Sequence, residues 1–432
     1  MSVPARRNGS APPALHQALV EDLKDAGHIR TPRVEAAFRA IPRHLFLPGL
    51  PVEQVYSDEA IPTKQLDGAV VSSSSQPAIM AIMLEQLELA PGHRVLEIGA
   101  GTGYNAALMA HIVGDEGQVV TVDIDDDLVA GAREHLAAAG LDRVRVVRGD
   151  GGFGYPAAAP YDRIILTVGA GDVAPAWREQ LSAGGRLVLP LSLKGPQKAV
   201  AFEPVDRHLA SVSVRDCGFM RLRGAFAEPS GTSIQIGPEP GLSLVSDNRL
   251  AADVAALYQS LTGPSCDWPT ATWVTPREVF GGLTLWLALR EPGFCRLSAV
   301  GELADRGLIP CLYWHPGEWK SCFTSGLLEG ASLGLLLRPP DEAPRLDDPV
   351  ELSPFQLYVR GVGPDDTLAR RLITQITGWE AAGRPGSSGL RIRVYPQAIE
   401  HVPSGNEVVL QKQWSRLVLD WPALPTGTDV AP

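Results

Sequence analysis

The 432-residue sequence predicts a doubly wound, Rossmann-like α/β sheet followed by a second, α+β C-terminal domain. Apolar strand-like runs alternate with helix-like segments from Arg94 to Leu193, which is typical of parallel strands joined by right-handed crossovers. A glycine-rich turn, Gly99 to Gly103, separates the first of these strands from a helix. The composition changes after residue 229, because eight of the nine tryptophans lie in residues 230–432. We therefore expect two domains, residues 1–229 and 230–432.

The elements of the first domain follow from periodicity and from helix start signals. Apolar residues four positions apart predict a helix over 14–26, and Thr31 with Pro32 starts a second helix that ends at 41. Residues 54–69 lack periodicity and predict a long surface loop that leads to Ser72–Ser75, with a helix after it at 77–87. Strands are expected near 94–99, 118–124, 143–148, 161–168 and 184–191, with closing strands at 199–204 and 211–215.

The second domain has mixed elements and no motif that names a reaction. Its predicted helices are 252–261, 276–289 and 365–379, and its clearest predicted strands are 353–360 and 390–395. The domain boundary is expected at 228–231, where proline, serine and glycine interrupt the pattern.

The glycine turn is the first candidate binding feature. Gly99, Gly101 and Gly103 leave no Cβ in the way of a ligand, and the helix that begins at Tyr104 points its free N–H groups back at the turn. Together with Thr102, these residues predict a cradle for an adenosine-type ligand. Glycine alternation also occurs where a strand and a helix pack tightly, and in dinucleotide-binding folds, so the turn alone leaves these alternatives open.

Three carboxylates narrow the choice of ligand. Asp123 ends the next strand, twenty residues after Gly103, where it can accept both hydroxyl protons of a ribose. Asp150, with Gly151, ends the third strand and is placed for an adenine edge, and Glu97 lies inside the first strand where a carboxylate needs partners. Each alone is an ordinary strand-end residue. Together they favour S-adenosylmethionine over a dinucleotide.

The first half also carries seven motifs in the order of a known family. They are Ala40–Pro48, Tyr56–Asp58, Ser75–Pro77, Val95–Tyr104, Gly149–Gly151, Ala159–Ile165 and Gly184–Val188. In these motifs the sequence resembles the protein-L-isoaspartate (aspartate) O-methyltransferases.

The resemblance implies acceptor roles for two residues. Ser75 takes the serine position of the family's Ser-x-Pro motif, and Asp58 takes the aspartate of its Tyr-x-Asp motif. Ser75 is equally well placed as a helix N-cap, and Asp58 as a brace for the loop. The stretch between Asp58 and Ser75 is several residues longer than in repair enzymes, and Ser72, Ser73 and Ser74 are expected to line a flexible loop.

The second half resembles the C-terminal extension of the isoaspartyl-methyltransferase relatives that accompany lanthipeptide-type ribosomal peptides. The grounds are the chain length, the serine run before Gln76 and Pro77, and the stretch from Phe355 to Tyr395. This resemblance implies that residues 230–432 hold a precursor peptide.

Charge and cysteine usage limit the partners and the compartment. The net charge of -11 argues against a nucleic-acid partner and makes a cationic or neutral peptide the easier one. The five cysteines form no Cys-x-x-Cys pair, so we expect no zinc site and a cytoplasmic protein. Neither a signal peptide nor a membrane span is predicted, and the oligomeric state is left open.

These observations predict a methyltransferase that acts on a carboxylate. An aspartate side chain in a ribosomally made precursor peptide is the expected acceptor, and its ester would close to a succinimide and open to isoaspartate. The main alternative is a repair enzyme that methylates isoaspartate in damaged proteins. Two further alternatives are a sensor that binds the cofactor without turnover and a methyltransferase that acts on a small molecule or on RNA.

Overall fold

The computed structural model describes residues 12–66, 69–228, 232–247, 253–315, 320–339 and 353–422. The first part of the chain contains helices α1 Pro12–Asp25, α2 Pro32–Ala40, α3 Val52–Val55, α4 Pro77–Leu87, α5 Tyr104–Val113, α6 Asp126–Ala138 and α7 Pro175–Glu179. Its strands are β1 Ile61–Leu66, β2 Ala69–Ser74, β3 Arg94–Ile98, β4 Gln118–Asp123, β5 Arg145–Arg148, β6 Tyr161–Leu166, β7 Leu181–Ser192, β8 Gln197–Val205 and β9 His208–Cys217.

The later part alternates less regularly between strands and helices. Its helices are α8 Val254–Thr262, α9 Pro276–Glu278, α10 Thr284–Arg290, α11 Glu302–Asp305 and α12 Thr367–Ala381. Its strands are β10 Thr232–Gln235, β11 Leu242–Ser246, β12 Ser265–Val274, β13 Phe294–Val300, β14 Tyr313–His315, β15 Ser321–Glu329, β16 Ser332–Leu337, β17 Phe355–Val362, β18 Arg391–Pro396, β19 Val408–Gln411 and β20 Ser415–Asp420.

The predicted α/β sheet is confirmed. Strands β5, β4, β3, β6 and β7 lie side by side in that order and are all parallel. The chain leaves β3 toward β4 and β5, and then returns to place β6 on the other side of β3. Because the order reverses between β3 and β6, a crevice opens at the carboxyl ends of these two strands, where ligands bind in such sheets.

The sheet continues beyond the parallel strands and draws in the end of the chain. Strands β8 and β9 lie near the two predicted closing strands; β8 pairs antiparallel with β7, and β9 pairs antiparallel with β8. Strand β18 then pairs with β9, and β20 and β19 follow, which gives ten strands in one sheet.

The division into 1–229 and 230–432 is therefore wrong at its C-terminal end. Residues 391–420 were expected in the second domain, but the chain returns after β17 and α12 to complete the first sheet. The physical reason is that β9 would otherwise be an open edge, and the apolar side chains of Ile392, Val394 and Leu417 are fully buried against it. The expected boundary at 229–231 lies outside the described residues.

The remaining C-terminal residues form a second antiparallel sheet, which confirms the α+β expectation. Its order is β10-β11-β13-β15-β16-β17-β12, with β14 paired to β15. Helix α12 packs against this sheet with its buried face, which includes Leu372, Ile376 and Trp379. We call this second sheet with its helices the C-terminal unit, and the ten-stranded sheet with α1–α7 the sheet unit.

The predicted helix at 276–289 is present with one irregularity. Helices α9 and α10 are continuous through a widened π-type turn at Val279–Leu283. This turn contains Gly281, whose carbonyl accepts a hydrogen bond from Ser387 Oγ at 2.7 Å.

The surface loop predicted at 54–69 is wrong, because β1 and β2 form a hairpin there. The hairpin lacks the usual alternation of apolar residues, since Pro62, Lys64 and the serines occupy its strands, and its register shifts near Lys64. The sequence signal for it was Asp67-Gly68, a frequent hairpin turn dipeptide; these two residues lie outside the described part.

In the described chain, every helix is too short or too polar to cross a bilayer.

Candidate cofactor and acceptor site

The glycine turn lies at the crevice between β3 and β6. Gly99, Gly101 and Gly103 have φ angles of +104°, +51° and +87°, a region that side chains with a Cβ rarely adopt. A Cβ on Gly99 would lie 2.6 Å from Thr167 Oγ1, whereas one on Gly101 would meet only Ser73 O at 3.9 Å. Thr167 fastens the turn by donating to Gly99 O at 2.7 Å. The turn therefore presents bare backbone to open space at Gly101, whereas Gly99 and Gly103 pack closely against their neighbours.

Asp123 lies beside this turn at the end of β4. Its side chain is 8% exposed, and Oδ2 accepts the N–H of Gly101 at 3.0 Å. Oδ1 accepts the N–H of Asp125 at 3.3 Å. Asp123 lines the same cavity as the glycine turn, and a carboxylate has further lone pairs for a pair of hydroxyls. The structure therefore brings together the two features that the sequence predicted for a ribose.

Glu97 lies behind the turn and does not line the cavity, so the predicted direct contact with the cofactor is corrected to a supporting role. Its carboxylate is fully buried and accepts hydrogen bonds from Asn105 Nδ2 at 2.8 Å and Thr121 Oγ1 at 2.6 Å. Burial raises the pKa of Glu97 to about 7, against the lowering effect of these two donors. The residue joins β3, β4 and α5 beneath the glycine turn.

Asp150 also supports the site, while its neighbour Gly151 lines it. Asp150 caps a short 3₁₀ turn by accepting from Gly152 N at 2.9 Å, and it accepts from Ala225 N at 2.6 Å. Gly151 needs its small size because a Cβ there would lie 2.3 Å from Ile98 Cγ2. The predicted adenine contact is therefore better assigned to the backbone around Gly151 than to the Asp150 carboxylate.

Thr102 and Tyr104 both line the cavity, as predicted. The carbonyl of Thr102 accepts a hydrogen bond from His135 Nδ1 at 2.9 Å, which fixes the turn to α6. Tyr104 is buried against Phe38 and Phe46, and this burial raises the pKa of its hydroxyl.

On the acceptor side, Ser75 lies in the link between β2 and α4. Gln76 is the N-cap of α4, so the alternative that Ser75 caps this helix is excluded. The Ser75 hydroxyl lines the cavity and has no hydrogen-bond partner among the residues that the structure describes. It is available to a ligand.

Asp58 braces the start of α4 by direct hydrogen bonds. Its Oδ1 accepts the N–H of Ala78 at 2.8 Å, and its Oδ2 accepts from Gln76 Nε2 at 3.0 Å. A carboxylate at a helix N-terminus is stabilised by the free N–H groups there. Asp58 is thus a positioning residue for Ser75, although its side chain also borders the cavity.

Arg43 organises the acceptor side and was missed by sequence reasoning. Its guanidinium is fully buried, and burial lowers its pKa. It donates to Val55 O at 2.9 Å, Ser57 O at 3.1 Å, Glu59 O at 3.2 Å, Ser74 Oγ at 3.4 Å and Ser75 O at 3.0 Å. Its only signal was its place in the Ala40–Pro48 motif, because a lone arginine reveals nothing of its partners.

A second missed feature is a cluster of ion pairs on the loop after β4. Asp125 receives Lys64 of the β1–β2 hairpin at 3.0 Å and Arg223 of the segment after β9 at 2.6 Å. The hydrogen bond from Arg223 is the main reason that the pKa of Asp125 lies below its usual value. Two segments distant in sequence thereby meet at the loop after β4.

One cavity of about 1800 Å³ is bordered by Gly99, Gly101, Asp123, Ser75 and Asp58, whereas Glu97, Asp150, Arg43 and Asp125 lie behind its wall. It begins at the glycine turn, passes Ser75, and continues onto the C-terminal unit. The wall from that unit includes Pro276, Arg277, Phe280, Arg296, Tyr313 and Phe323.

The fold and this site define a methyltransferase that uses S-adenosylmethionine. A glycine cradle at the point where the strand order reverses, with a carboxylate on the adjoining strand, fits a nucleoside cofactor. The chain belongs to the protein-L-isoaspartate(D-aspartate) O-methyltransferase family, whose model matches residues 14–224. This family uses S-adenosylmethionine, so the enzyme is a carboxyl O-methyltransferase dependent on that cofactor.

Two relatives illustrate how the similarity is distributed. The chain is 41% identical over 217 residues to the protein-L-isoaspartate O-methyltransferase of Methanopyrus kandleri, which covers 49% of this chain and 94% of that enzyme. It is 40% identical over 206 residues to the protein-L-isoaspartate O-methyltransferase of Methanoregula boonei, and this match covers 48% of this chain and 91% of that enzyme. A solved protein-L-isoaspartate O-methyltransferase structure, 24% identical, covers 88% of this chain and 96% of its own with a TM-score of 0.47.

Proposed function

We propose that this enzyme methylates the side-chain carboxylate of an aspartate in a ribosomally made, lanthipeptide-type precursor peptide. The observation that carries the proposal is the extent of the cavity. Its acceptor side continues past Ser75 onto residues 276–325, which lie beyond the 14–224 match to the family. An isolated isoaspartate would need no such wall, whereas an extended peptide would.

The residues of the sheet unit would hold the cofactor. S-adenosylmethionine supplies an electrophilic methyl group when bound. The glycine turn leaves space without a side chain at Gly101, and Asp123 is available to the ribose hydroxyls. The ion pairs of Asp125 with Lys64 and Arg223 hold the loop that follows Asp123.

The acceptor needs orientation and no general base. An aspartate carboxylate has a pKa of about 3.9 and is already an anion at neutral pH. Ser75 Oγ can donate a hydrogen bond to one carboxylate oxygen and leave the other aligned for attack. Holding the reacting atoms in line and away from water can contribute roughly 7–11 kcal/mol.

The ester then reacts within the peptide. The backbone nitrogen of the next residue attacks the ester carbonyl, a C–N bond forms, and the C–O bond to the methoxy group breaks. The nitrogen's proton leaves with the methoxy group as methanol, which gives a succinimide. Water opens this ring to isoaspartate or aspartate.

A repair role is the second candidate, and the similarity to the enzymes of Methanopyrus kandleri and Methanoregula boonei favours it. Those proteins are named protein-L-isoaspartate O-methyltransferases. In this role the same site would methylate the α-carboxylate of isoaspartate in damaged proteins.

Mass spectrometry of peptide libraries separates the two roles. The enzyme and cofactor are incubated with synthetic peptides that each carry one aspartate-glycine pair in varied surroundings, and with the same library containing isoaspartate. We expect aspartate peptides to gain about 14 Da and then to convert to a species about 18 Da below the start, because ring closure is intramolecular. Methylation confined to isoaspartate peptides, or a stable N-methyl product, would reject the proposal.

A further inference from the structure

The cavity carries more positive than negative charge, although the whole chain is acidic with a net charge of -11. Six cations and three anions line it. The cations are Lys198, Arg215, Arg221, Arg223, Arg277 and Arg296, and the anions are Asp58, Asp123 and Asp216.

Half of these cations are neutralised by carboxylates. Lys198 pairs with Asp216, Arg223 pairs with Asp125 at 2.6 Å, and Arg221 lies 3.5 Å from Asp247. The other three, Arg215, Arg277 and Arg296, form no ion pair with any residue in the described ranges. Two lining anions, Asp58 and Asp123, also form no ion pair in the described ranges, and both belong to the sheet unit. The excess positive charge therefore lies at the wall from the C-terminal unit, which contributes Arg277 and Arg296 and no lining carboxylate.

Arg296 is the most enclosed of these three. It lies on β13, is only partly exposed, and points toward the sheet unit, since a Cβ built on Gly195 would lie 3.8 Å from its Nε. Burial lowers its pKa. The carboxylate that acts on this buried guanidinium, Asp247, also faces Arg221 at 3.5 Å, so Arg296 does not have it alone. An anionic ligand would offset the remaining cost of burial.

An aromatic surface lies beside the arginines. Phe280 is 47% exposed, although it is a large apolar residue, and its ring stacks on Tyr313 with centroids 3.8 Å apart. Tyr313 in turn contacts Phe323, with centroids 5.6 Å apart. Arg277 precedes Phe280 by three residues in the chain, and both residues are exposed and line the cavity.

We infer that Arg277, Arg296 and the Phe280–Tyr313 stack bind an acidic segment of the peptide substrate next to the methylated residue. Carboxylates of the peptide would pair with the two arginines, and one apolar or aromatic side chain would cover the exposed ring of Phe280. This inference rests on the proposed peptide substrate. It reverses the expectation, drawn from net charge alone, of a cationic or neutral partner.

The test measures peptide binding to the full-length protein saturated with S-adenosylhomocysteine. Fluorescence anisotropy compares labelled synthetic peptides that share one aspartate-glycine pair and one phenylalanine, and that differ only in glutamate, glutamine or lysine flanks. We expect the glutamate peptide to bind about tenfold more tightly than the glutamine peptide, as charge-assisted pairs allow. Arg296→Gln and Arg277→Gln should each bring the two affinities within about twofold of one another.

Arg370→Gln is the matched control, because Arg370 is an exposed arginine of the same unit that does not line the cavity and pairs with Asp366 at 2.6 Å. This variant should keep the full preference, and thermal melts verify that all three variants are folded. The inference is overturned if the wild type binds the glutamine or lysine peptide as tightly, or if the two cavity variants keep the preference. Because binding is read without turnover, failure of the proposed aspartate methylation would appear only in the mass assay.

Discussion

The three carboxylates around the glycine turn have different roles, and each role depends on which hydrogen-bond donors surround the carboxylate. Asp123 borders the cavity and is available to a ligand, whereas Glu97 and Asp150 use their oxygens for buried or backbone donors. A buried carboxylate without such donors would be costly, so Glu97 depends on Asn105 and Thr121. Position at a strand end does not reveal which task a carboxylate has, because the donors come from other elements.

Glu97 makes the stability of the enzyme depend on pH. Its folded pKa of about 7 lies above the ordinary value of 4.5, so the folded state holds the proton more tightly than the unfolded state does. The stability from this group is therefore present at acidic pH and is lost as the pH rises toward and past 7. Glu97→Gln should remove this decline, since the amide keeps an acceptor for Asn105 and offers a donor to Thr121.

Thermal melts from pH 5 to 8 measure this effect. Over this range we expect the Tm of the wild type to fall by about a few degrees relative to the Tm of Glu97→Gln. Glu97→Ala serves as the comparison, because it leaves both donors unpaired and should lower Tm at every pH. Parallel pH curves for the wild type and Glu97→Gln would show that Glu97 does not titrate in this range.

Elements that are consecutive in the chain could be predicted from the sequence. Strands β3 to β9 and helices α4 and α5 carry their own periodicity, so their predicted positions lie near the observed ones. The β1–β2 hairpin could not be predicted from periodicity, because its stability comes from contacts to Arg43, Asp125 and Asp127. The fully buried Arg43 was also invisible for this reason, since its five acceptors are spread over residues 55–75.

At the start of α4, Asp58 and Ser75 should respond differently to substitution. Asp58→Ala removes the acceptor of Ala78 N–H and should cost about 1 kcal/mol of stability, with a loss of kcat that follows from a misplaced Ser75. Ser75→Ala should leave Tm unchanged, since its hydroxyl has no partner in the described structure, but should lower kcat at least about tenfold. Melting curves and steady-state kinetics on an aspartate peptide measure both.

Asp58→Asn is the control, because its amide oxygen can still accept from Ala78 and should restore most of the stability. Cofactor affinity should stay constant in all three variants. A Ser75→Ala enzyme with full kcat would remove Ser75 from the acceptor site.

The whole molecule depends on pairings that no local pattern reveals. Strand β18 pairs with β9 across a long stretch of sequence, Arg393 opposite Ala210, so the return of the chain to the first sheet was not predictable. This return ties the C-terminal unit to the sheet unit at both of its ends. Ser387, just before β18, donates to Asp216 of β9 at 2.7 Å, which strengthens that junction.

The two units contribute different residues to the cavity. The family half of the chain provides the glycine turn and Asp123, and the C-terminal unit provides Arg277, Arg296 and the exposed Phe280. We propose that the sheet unit holds the cofactor and that the C-terminal unit holds the flanking part of the peptide, on opposite sides of one cavity. Changes on one side should then leave the other side intact.

Calorimetric titration of two variants tests this claim most directly. Asp123→Asn keeps an acceptor for Gly101 N–H but loses the carboxylate, so its affinity for S-adenosylhomocysteine should fall at least about tenfold, while its affinity for the glutamate-flanked peptide stays that of the wild type. Arg296→Gln should show the reverse pattern. Unchanged S-adenosylhomocysteine affinity in folded Asp123→Asn, or a joint loss of both affinities in Arg296→Gln, would contradict the account.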